Sequence, residues 1–437
     1  MWKRVLASIM SVLCLFSGVS CSDEENSSVI EYSPDEECTI TMSWWGGDER
    51  HEATLEAIEL FEKKYPNINV EVDYGSWTGW KSKIFGQIED NSCADVIQVN
   101  YDWLVTLSYD GTGFYDLEQL SEYIDLSNFS NNVLEFGRRN GVLNAIPASI
   151  TGRTPFYNTE VLDKAGIKFL PETWEELFGI APRLNAMGSY PIEADNGSGC
   201  TAWYLAIVYE QQKTGKEFIT SDGKIGFTVD EIADALDFYK SMLKNGVVRN
   251  PMQTTEEGNL YESDAWLNGV VTGIAEWGSS VSKYQNALEN PESLEMGNLL
   301  IMDNAQSTGW FYKPSLLFAI NKDTQYPIQS AMLLDFIYND EECAEILGTS
   351  RGIPVSQKAV SVLEKSGQLS GLAYDSNNQI LNSNPILISP YFENSDMQTY
   401  YQDAIEAVSL DLLTPEEAAQ GMYANIVYTL DQIIKGK

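Results

Sequence analysis

Histidine and basic residues are scarce in this sequence. His51 is the single histidine of 437 residues, so a serine or cysteine nucleophile that needs an imidazole base would depend on it alone. It falls at the start of a predicted helix, where we expect a surface or capping role. Lysine and arginine number 27 against 64 aspartates and glutamates, a formal net charge of −37. Because so negative a surface repels phosphate backbones, the composition argues against nucleic-acid binding.

Motifs for nucleotide hydrolysis are also missing. A phosphate-binding loop requires Gly-x4-Gly-Lys followed by serine or threonine, and the Gly-Lys pairs at Gly215, Gly223 and Gly436 lack the spacing and the hydroxyl. The chain is therefore not an ATPase. Some of its 64 carboxylates could by chance lie at the separation found in glycosidases, but no local motif singles out a pair. We therefore expect a protein that is not an enzyme and carries no cofactor.

Cysteine is sparse and widely spaced. The cysteines that follow Cys21 are Cys38, Cys93, Cys200 and Cys343. Their spacing fits neither a disulfide framework nor a zinc motif, because no CxxC pair exists, so no metal site is expected. Cys38 and Cys93 each precede a predicted strand and would lie at the same end of the sheet if those strands are parallel neighbours. A disulfide between them and two free, buried thiols are both open interpretations.

Long apolar runs are scarce, and the run nearest the start of the chain is short. Residues 5–16 are largely apolar, follow a basic start and precede small residues and Cys21. A membrane-spanning helix needs roughly 20 apolar residues, so this order is instead typical of a secretory signal. It resembles a lipoprotein signal, although Gly18 stands where an aliphatic residue is usual, and ordinary secretion with a free Cys21 is the alternative. We expect a signal peptide at residues 1–20, a lipid such as palmitate on Cys21, and a flexible acidic tether at residues 21–37.

The remaining chain alternates predicted strands with predicted helices. About 400 of the 437 residues remain, too many for one core and enough for two domains. Apolar runs predict strands at residues 39–45, 68–74 and 96–99. Helical spacing of apolar residues predicts helices at residues 53–65, 80–89, 173–184, 230–244, 328–338 and 415–434. Strands separated by helices indicate βαβ units and an α/β fold with a parallel sheet.

Aromatic residues are concentrated where the first three predicted strands end. They come in pairs, which are Trp44 and Trp45, Trp77 and Trp80, and Tyr101 and Trp103. Because ligands of an open parallel sheet bind beyond the carboxyl ends of its strands, these loops should converge on one crevice. Aromatic rings stack on the apolar face of a sugar, and polar side chains bind its hydroxyls. The pattern favours a carbohydrate site, with core packing as the competing interpretation for each ring and the expected role of Trp44.

Four stretches carry a family resemblance in their order and spacing. They are Thr-Met-Ser-Trp-Trp-Gly-Gly leading into a helix that ends near Tyr-Pro-Asn-Ile (residues 41–68), residues 144–162, Gly-Ile-Ala-Glu-Trp-Gly-Ser (residues 273–279) and Ser-Arg-Gly-Ile-Pro-Val (residues 350–355). Together they resemble the family 1 extracellular solute-binding proteins, which include maltose-binding receptors. The resemblance implies two lobes, each a parallel-rich sheet flanked by helices, with the ligand cleft between them. The implied bounds are 38–150 with 315–350 for the N-lobe and 151–314 with 351–437 for the C-lobe.

The resemblance also implies which residues bind the ligand. Trp277 is the strongest candidate, because its stretch resembles the family stretch whose tryptophan stacks on sugar. The other candidates are Trp45, Asp48, Trp77, Tyr101 and Asp102 in the N-lobe, Trp203 and Tyr204 in the C-lobe, and Trp310, Tyr312, Arg153 and Arg351 near chain crossings between the lobes. For the two arginines, charge-assisted bonds to sugar hydroxyls and structural ion pairs are both open.

The function implied by the resemblance is capture of a solute outside the membrane. An oligosaccharide would bridge both lobes, close the hinge and pass to the permease subunits of an ABC importer, whose ATPase is a separate protein. We expect a lipid-anchored monomer on the extracytoplasmic face of the cell membrane. One alternative is a protein of the same fold for a glycerol phosphodiester or a peptide, with cationic or small polar residues dominating the cleft. A surface glycosidase is the other.

Overall fold

The computed structural model describes residues 36–194, 201–250 and 259–435. The predicted signal peptide, Cys21, Cys200 and nearly all of the tether lie outside the described residues. Within the described part, none of the helices combines the length and the apolar character that a membrane crossing requires.

The first described segment forms the βαβ units that the sequence predicts. Strand β1 (Cys38–Trp45) leads through helix α1 (Asp48–Lys64) to β2 (Ile68–Gly75), and α2 (Trp80–Glu89) leads to β3 (Val96–Val99). β1 pairs in parallel with both β2 and β3, so it is a central strand. β1 alternates apolar and polar residues over its first six positions, and it is covered on both faces from Met42 to Trp45, where every residue is buried.

The sheet then becomes antiparallel. Its main path runs β10-β6-β9-β3-β1-β2, where β6 is Ala145–Asn158, β9 is Phe311–Ile320 and β10 is Ile353–Pro354. β9 pairs antiparallel with both β3 and β6. The sheet is therefore mixed, and the expected parallel pairing is confined to β2-β1-β3 and to the short β11 (Ile386–Leu387) beside β9.

Strand β6 joins two parts of the sheet. Its first half pairs with β9, and its second half pairs antiparallel with β7 (Gly273–Trp277) and β8 (Leu294–Met296). A separate short ribbon, β4 (Arg138–Arg139) with β5 (Val142–Leu143), precedes it. β6 and β9 thus carry the chain between the segments that the sequence assigns to different lobes.

The helices flank this sheet. After α1 and α2 they are α3 Tyr101–Leu107, α4 Asn131–Phe136, α5 Thr159–Lys164, α6 Trp174–Asn185, α7 Thr201–Thr214, α8 Val229–Lys244, α9 Asp264–Leu267, α10 Val281–Ala287, α11 Pro327–Asn339, α12 Glu341–Leu347, α13 Gln357–Ser366, α14 Leu372–Asn382, α15 Ser395–Ser409 and α16 Pro415–Ile434. The four long predicted helices beyond residue 150 agree with α6, α8, α11 and α16 to within one residue at each end. Capping boxes at Thr228 and Thr414 start α8 and α16, because each side chain accepts a bond from the third helical residue.

Cys38 and Cys93 lie at the same end of the sheet, as the parallel strands require. Their thiols are not bonded to each other. Burial raises the pKa of Cys38 and raises the pKa of Cys93 to about 12, so both are protonated, unreactive thiols at neutral pH.

Candidate functional site

Strand pairing brings four polar and aromatic side chains onto one face of the sheet. Thr151 of β6 is opposite Lys313 of β9, and Arg153 of β6 is opposite Trp277 of β7. Because side chains alternate along a strand, Thr151 and Arg153 point the same way, and each cross-strand partner shares that face. Lys313, Arg153 and Trp277 are therefore neighbours although they are far apart in sequence.

Two cations lie against two aromatic rings on this face. The Lys313 ammonium is 4.6 Å from the Trp277 ring centroid. The Arg153 guanidinium carbon is 4.1 Å from the Tyr204 centroid and 5.5 Å from that of Trp277. Tyr204 itself meets Trp277 edge to face at 5.9 Å. These distances are within the range of cation–π attraction, which favours holding both cations beside the rings.

The two cations differ in their polar partners. Lys313 pairs with both carboxylate oxygens of Glu393, which also accepts a bond from the Tyr204 hydroxyl at 3.2 Å. Arg153 is 2% exposed and donates from Nε to the Ala275 carbonyl at 3.0 Å and from Nη2 to the Thr201 hydroxyl at 2.9 Å. Among the described residues, none of its ion-pair or hydrogen-bond partners is a carboxylate.

A second group of site residues follows β3. Asp102 is buried and accepts a bond from Lys81 at 3.0 Å and from Asn100 at 2.5 Å. Burial raises the pKa of Asp102, Lys81 opposes that rise, and the negative charge of Glu393 adds to it. The charge of Glu393 thus reaches Asp102, which links the second group to the first electrostatically.

Arg139 and three tyrosines extend this second group of site residues. The Arg139 guanidinium donates to the Tyr391 hydroxyl at 3.4 Å, and its buried Nε has no hydrogen-bond partner among the described residues. Burial raises the pKa of Tyr101, Arg139 opposes the rise, and Tyr312 and Tyr391 add to it. We call the whole set the cation-aromatic cluster, which comprises Lys81, Tyr101, Asp102, Arg139, Arg153, Tyr204, Trp277, Tyr312, Lys313, Tyr391 and Glu393.

Trp77 forms an exposed platform after β2. Its side chain is 50% exposed, and one face stacks on the buried Trp103 at 6.0 Å with an angle of 13° between the rings. Trp45, which is 8% exposed, packs against both rings at 5.1 and 5.2 Å. Two buried tryptophans thus hold Trp77 in place while it remains open to solvent, which is the arrangement that a stacking surface needs.

Comparison with known proteins identifies the family. The sequence profile described as bacterial extracellular solute-binding protein matches residues 56–369, well over half of the chain. The chain belongs to the bacterial extracellular solute-binding proteins. This agrees with the family resemblance of its motifs, and it gives the chain an extracytoplasmic location. Members of this family are binding proteins rather than enzymes.

Solved structures agree with this assignment. An oligogalacturonide-binding protein of Yersinia enterocolitica, solved with saturated digalacturonic acid, is 32% identical with a TM-score of 0.84 over 91% of this chain and 99% of that one. A periplasmic solute-binding protein of Pectobacterium atrosepticum is 29% identical with a TM-score of 0.85 over 91% of this chain and 100% of its own. The α/β, two-lobed fold of periplasmic binding proteins, with a cleft between the lobes, is thereby confirmed.

A more distant relative matches over a shorter region. A chain of Brucella abortus (strain 2308), described only as a binding protein, is 25% identical over 254 residues, or 57% of this chain. The solute-binding protein spans about half the length of that relative, 56% of it.

Half of the predicted site residues belong to the cation-aromatic cluster of this solute-binding protein. Those in the cation-aromatic cluster are Tyr101, Asp102, Arg153, Tyr204, Trp277 and Tyr312. Trp77 is not part of the cluster. Its side chain is exposed, and Trp45 packs against it. Asp48 is elsewhere, as the exposed first residue of α1, and the structure gives it no contact with the cluster.

The expectation that Trp203 and Trp310 face the cleft is wrong. Trp203 is fully buried against Phe218 at 5.1 Å and Tyr401 at 5.9 Å. Successive helical residues point about 100° apart, so when Tyr204 faces Trp277, Trp203 turns into the core. Trp310, also fully buried, stacks on Trp174 at 6.4 Å.

Arg351 is likewise a structural residue. It is 6% exposed, donates from Nη2 to the Thr54 hydroxyl at 2.7 Å, and lies over the Phe318 ring at 5.4 Å. Burial and, to a smaller extent, the nearby charge of Arg50 lower its pKa to about 9. Neither of the two proposed roles applies, because its partners are neutral groups within the fold rather than a carboxylate or an open cleft.

Five cluster residues were missed by the sequence reasoning. They are Lys81, Arg139, Lys313, Tyr391 and Glu393. Lys313 adjoins the predicted Tyr312, and alternation along β9 places these two side chains on opposite faces, which only the strand pairing reveals. Tyr391 and Glu393 lie between β11 and α15, in a stretch without a periodic pattern, so no sequence signal identified them.

Proposed function

We propose that this protein captures an oligosaccharide and delivers it to the permease of an ABC importer, without catalysing a reaction. The observation that carries the proposal is the presence of two accessible tryptophans, Trp77 and Trp277, each braced by other aromatic rings. A sugar ring presents an apolar face to such surfaces and hydroxyls to the polar groups around them. The Yersinia neighbour, which binds digalacturonic acid, supports a carbohydrate ligand.

Hinge closure would bring the two tryptophans to opposite sides of the ligand. We assign residues 38–150 and 315–350 to the N-lobe and residues 151–314 and 351–437 to the C-lobe. The contact between Arg139 and Tyr391 then crosses the cleft, as does the electrostatic interaction between Asp102 and Glu393. A ligand that touches both sets stabilises the closed form, which the permease recognises.

The groups present are sufficient for useful affinity. A stacked aromatic contact contributes about 1 kcal/mol beyond burial, and micromolar binding requires about −8 kcal/mol. Two rings, the burial of the sugar faces and several hydrogen bonds to charged groups together reach that range.

We also propose that Cys21 carries a lipid that anchors a monomer to the membrane. The support is the order of the signal segment alone, since these residues lie outside the described part. Replacement of Cys21 by serine should release the protein from the membrane fraction of cells that express it, whereas an unchanged membrane fraction would refute the anchor.

A thermal-shift screen of the chain from residue 22 onward tests the sugar proposal. The panel contains α- and β-linked oligosaccharides, with glycerol phosphodiesters and peptides as controls. A ligand present at about 100 times its dissociation constant stabilises the folded state by roughly 2.7 kcal/mol, which raises the melting temperature. A shift with oligosaccharides supports the proposal, and a shift with the controls alone would contradict it.

The same samples address the glycosidase alternative. A glycosidase would use Asp102 and Glu393, the carboxylates of the cluster, yet each is paired with a lysine, Lys81 and Lys313 respectively. We expect the bound sugar to be recovered intact by chromatography. Shorter sugars would show that the protein is a hydrolase.

A further inference from the structure

The cation-aromatic cluster reverses the charge balance of the chain. In the whole sequence, 64 acidic residues outnumber 27 basic ones. In the cluster, the basic residues outnumber the acidic ones, with Lys81, Arg139, Arg153 and Lys313 against Asp102 and Glu393. The surplus of positive charge makes this region attractive to an anion in a protein that elsewhere repels anions.

The surplus of positive charge in the cluster comes from its two arginines, Arg139 and Arg153. Lys81 and Lys313 each have a carboxylate partner in the cluster. Arg153 is 2% exposed and bonds only to neutral groups among the described residues, and the Nε of Arg139 is buried without a partner there. A buried charge without a counter-charge costs several kcal/mol, so an anion that reaches these guanidinium groups gains a correspondingly strong interaction.

The position of Arg153 beside Trp277 suits a sugar acid. The guanidinium lies 5.5 Å from the indole centroid, and the Lys313 ammonium lies 4.6 Å from it. The carboxylate of a hexuronate projects from the rim of the pyranose ring. When that ring stacks on the indole beside the two cations that lie over it, the carboxylate can be directed toward them, and a guanidinium is the donor best shaped to bind it.

We propose that the ligand is an acidic oligosaccharide, in which a hexuronate stacks on Trp277 and its carboxylate binds Arg153, with Lys313 beside the same indole. This inference rests on the proposed function and narrows it to one class of sugar. A carboxylate is favoured over a phosphate dianion because Lys313 is paired with Glu393, so that of the two cations over Trp277 only Arg153 lacks a carboxylate partner among the described residues, which leaves a single positive charge there.

Calorimetric titration of the wild-type protein tests the inference without any substitution. The probes are di- and trisaccharides of hexuronates and their neutral counterparts, in which a hydroxymethyl group replaces each carboxylate. We expect the acidic sugars to bind at least about tenfold more tightly at low salt, with the difference shrinking as sodium chloride screens the charges. Equal or tighter binding of the neutral sugars would overturn the inference.

Two matched arginine variants locate the carboxylate. Arg153→Gln should weaken the acidic sugar at least about tenfold and leave the neutral sugar within about twofold. Arg138→Gln makes the same change in net charge at a surface residue paired with Glu118 at 2.6 Å, and it should alter neither affinity. Equal losses in both variants would show that only net charge matters, and would contradict the assignment of Arg153.

Loss of folding is distinguished from loss of binding by the melting temperature of each variant. If Arg153→Gln does not fold, Arg139→Gln takes its place, with a smaller loss of the same selectivity expected. The result that would contradict the acidic specificity differs from the result that would contradict the proposed receptor function. Binding of neutral sugars alone removes the acidic specificity and keeps the receptor, whereas absence of binding to both sugar classes removes both.

Discussion

The two accessible tryptophans have very different surroundings. Trp77 is half exposed and is held by Trp45 and Trp103, with no cation within cation–π distance among the described residues. Trp277 is partly buried and has both Lys313 and Arg153 beside it. An apolar surround suits stacking on any sugar face, and a cationic surround suits a sugar with a negative charge. The comparison therefore assigns affinity to both rings and selectivity to the Trp277 side.

The largest effect on binding is expected from Trp277→Ala. Its loss removes a stacking surface and the ring that holds Arg153 and Lys313 in place, so oligosaccharide affinity should fall at least about tenfold. Calorimetric titration measures this, with Tyr428→Ala as the control because Tyr428 is 65% exposed on α16. An unchanged affinity would show that Trp277 is not a binding residue.

Trp77→Ala should have a smaller effect with a different signature. Stacking on an exposed ring contributes about 1 kcal/mol, so affinity should fall about fivefold. Because Trp77 lacks nearby charge, the loss should be equal for acidic and neutral sugars in parallel titrations. If Trp77→Ala lowered the affinity for the acidic sugar alone, Trp77 would also contribute to selectivity, which would contradict the proposed difference between the two tryptophans.

Glu393→Gln should increase the preference for acidic over neutral sugars that we assign to the Trp277 side. The substitution removes a negative charge next to Lys313 and leaves the ammonium free to face a ligand carboxylate. Affinity for hexuronate sugars should rise at least about threefold, because the Lys313 side chain is only 9% exposed and is left without its counter-charge, while neutral sugars are unaffected. Glu345→Gln, at an exposed position of α12, is the matched control. A fall in hexuronate affinity would mean that Glu393 orients Lys313 for binding.

Glu210→Gln should change stability and leave binding unchanged. Glu210 is fully buried on α7, and burial raises its pKa to about 7. The unfolded value is about 4.3, so the folded state retains the proton longer and the wild type loses stability as pH rises from about 4.5 to about 7. The variant should therefore melt at a higher temperature than the wild type at pH 8 and at the same temperature at pH 4. A pH-independent difference would contradict ionisation as the cause.

The sequence predicted the N-terminal side of this protein better than the rest. Elements β1 to β3 follow one another in the chain and are neighbours in the sheet, so local patterns located the strand ends after which Trp77 and Tyr101 lie. Hydrophobic periodicity also gave the long helices. Local pattern suffices where neighbours in sequence are neighbours in space.

Most of the charged residues of the site were not identified by that reasoning. Arg139, Lys313 and Glu393 come from separate segments, namely β4, β9 and the stretch between β11 and α15, and no local pattern links them. Periodicity also cannot tell which ring of an adjacent pair faces a ligand, and so Trp203 was predicted together with Tyr204. The family resemblance supplied Trp277 and Arg153, whereas Lys313 beside them required the fold.

Hydrogen exchange with and without the oligosaccharide that gives the largest thermal shift tests the central claim most directly. If the sugar bridges both tryptophans in a closing cleft, the amides of residues 75–82 and of residues 273–280 should both become protected on binding. Protection in only one of these segments, or in neither while the sugar is bound, would contradict capture between two lobes.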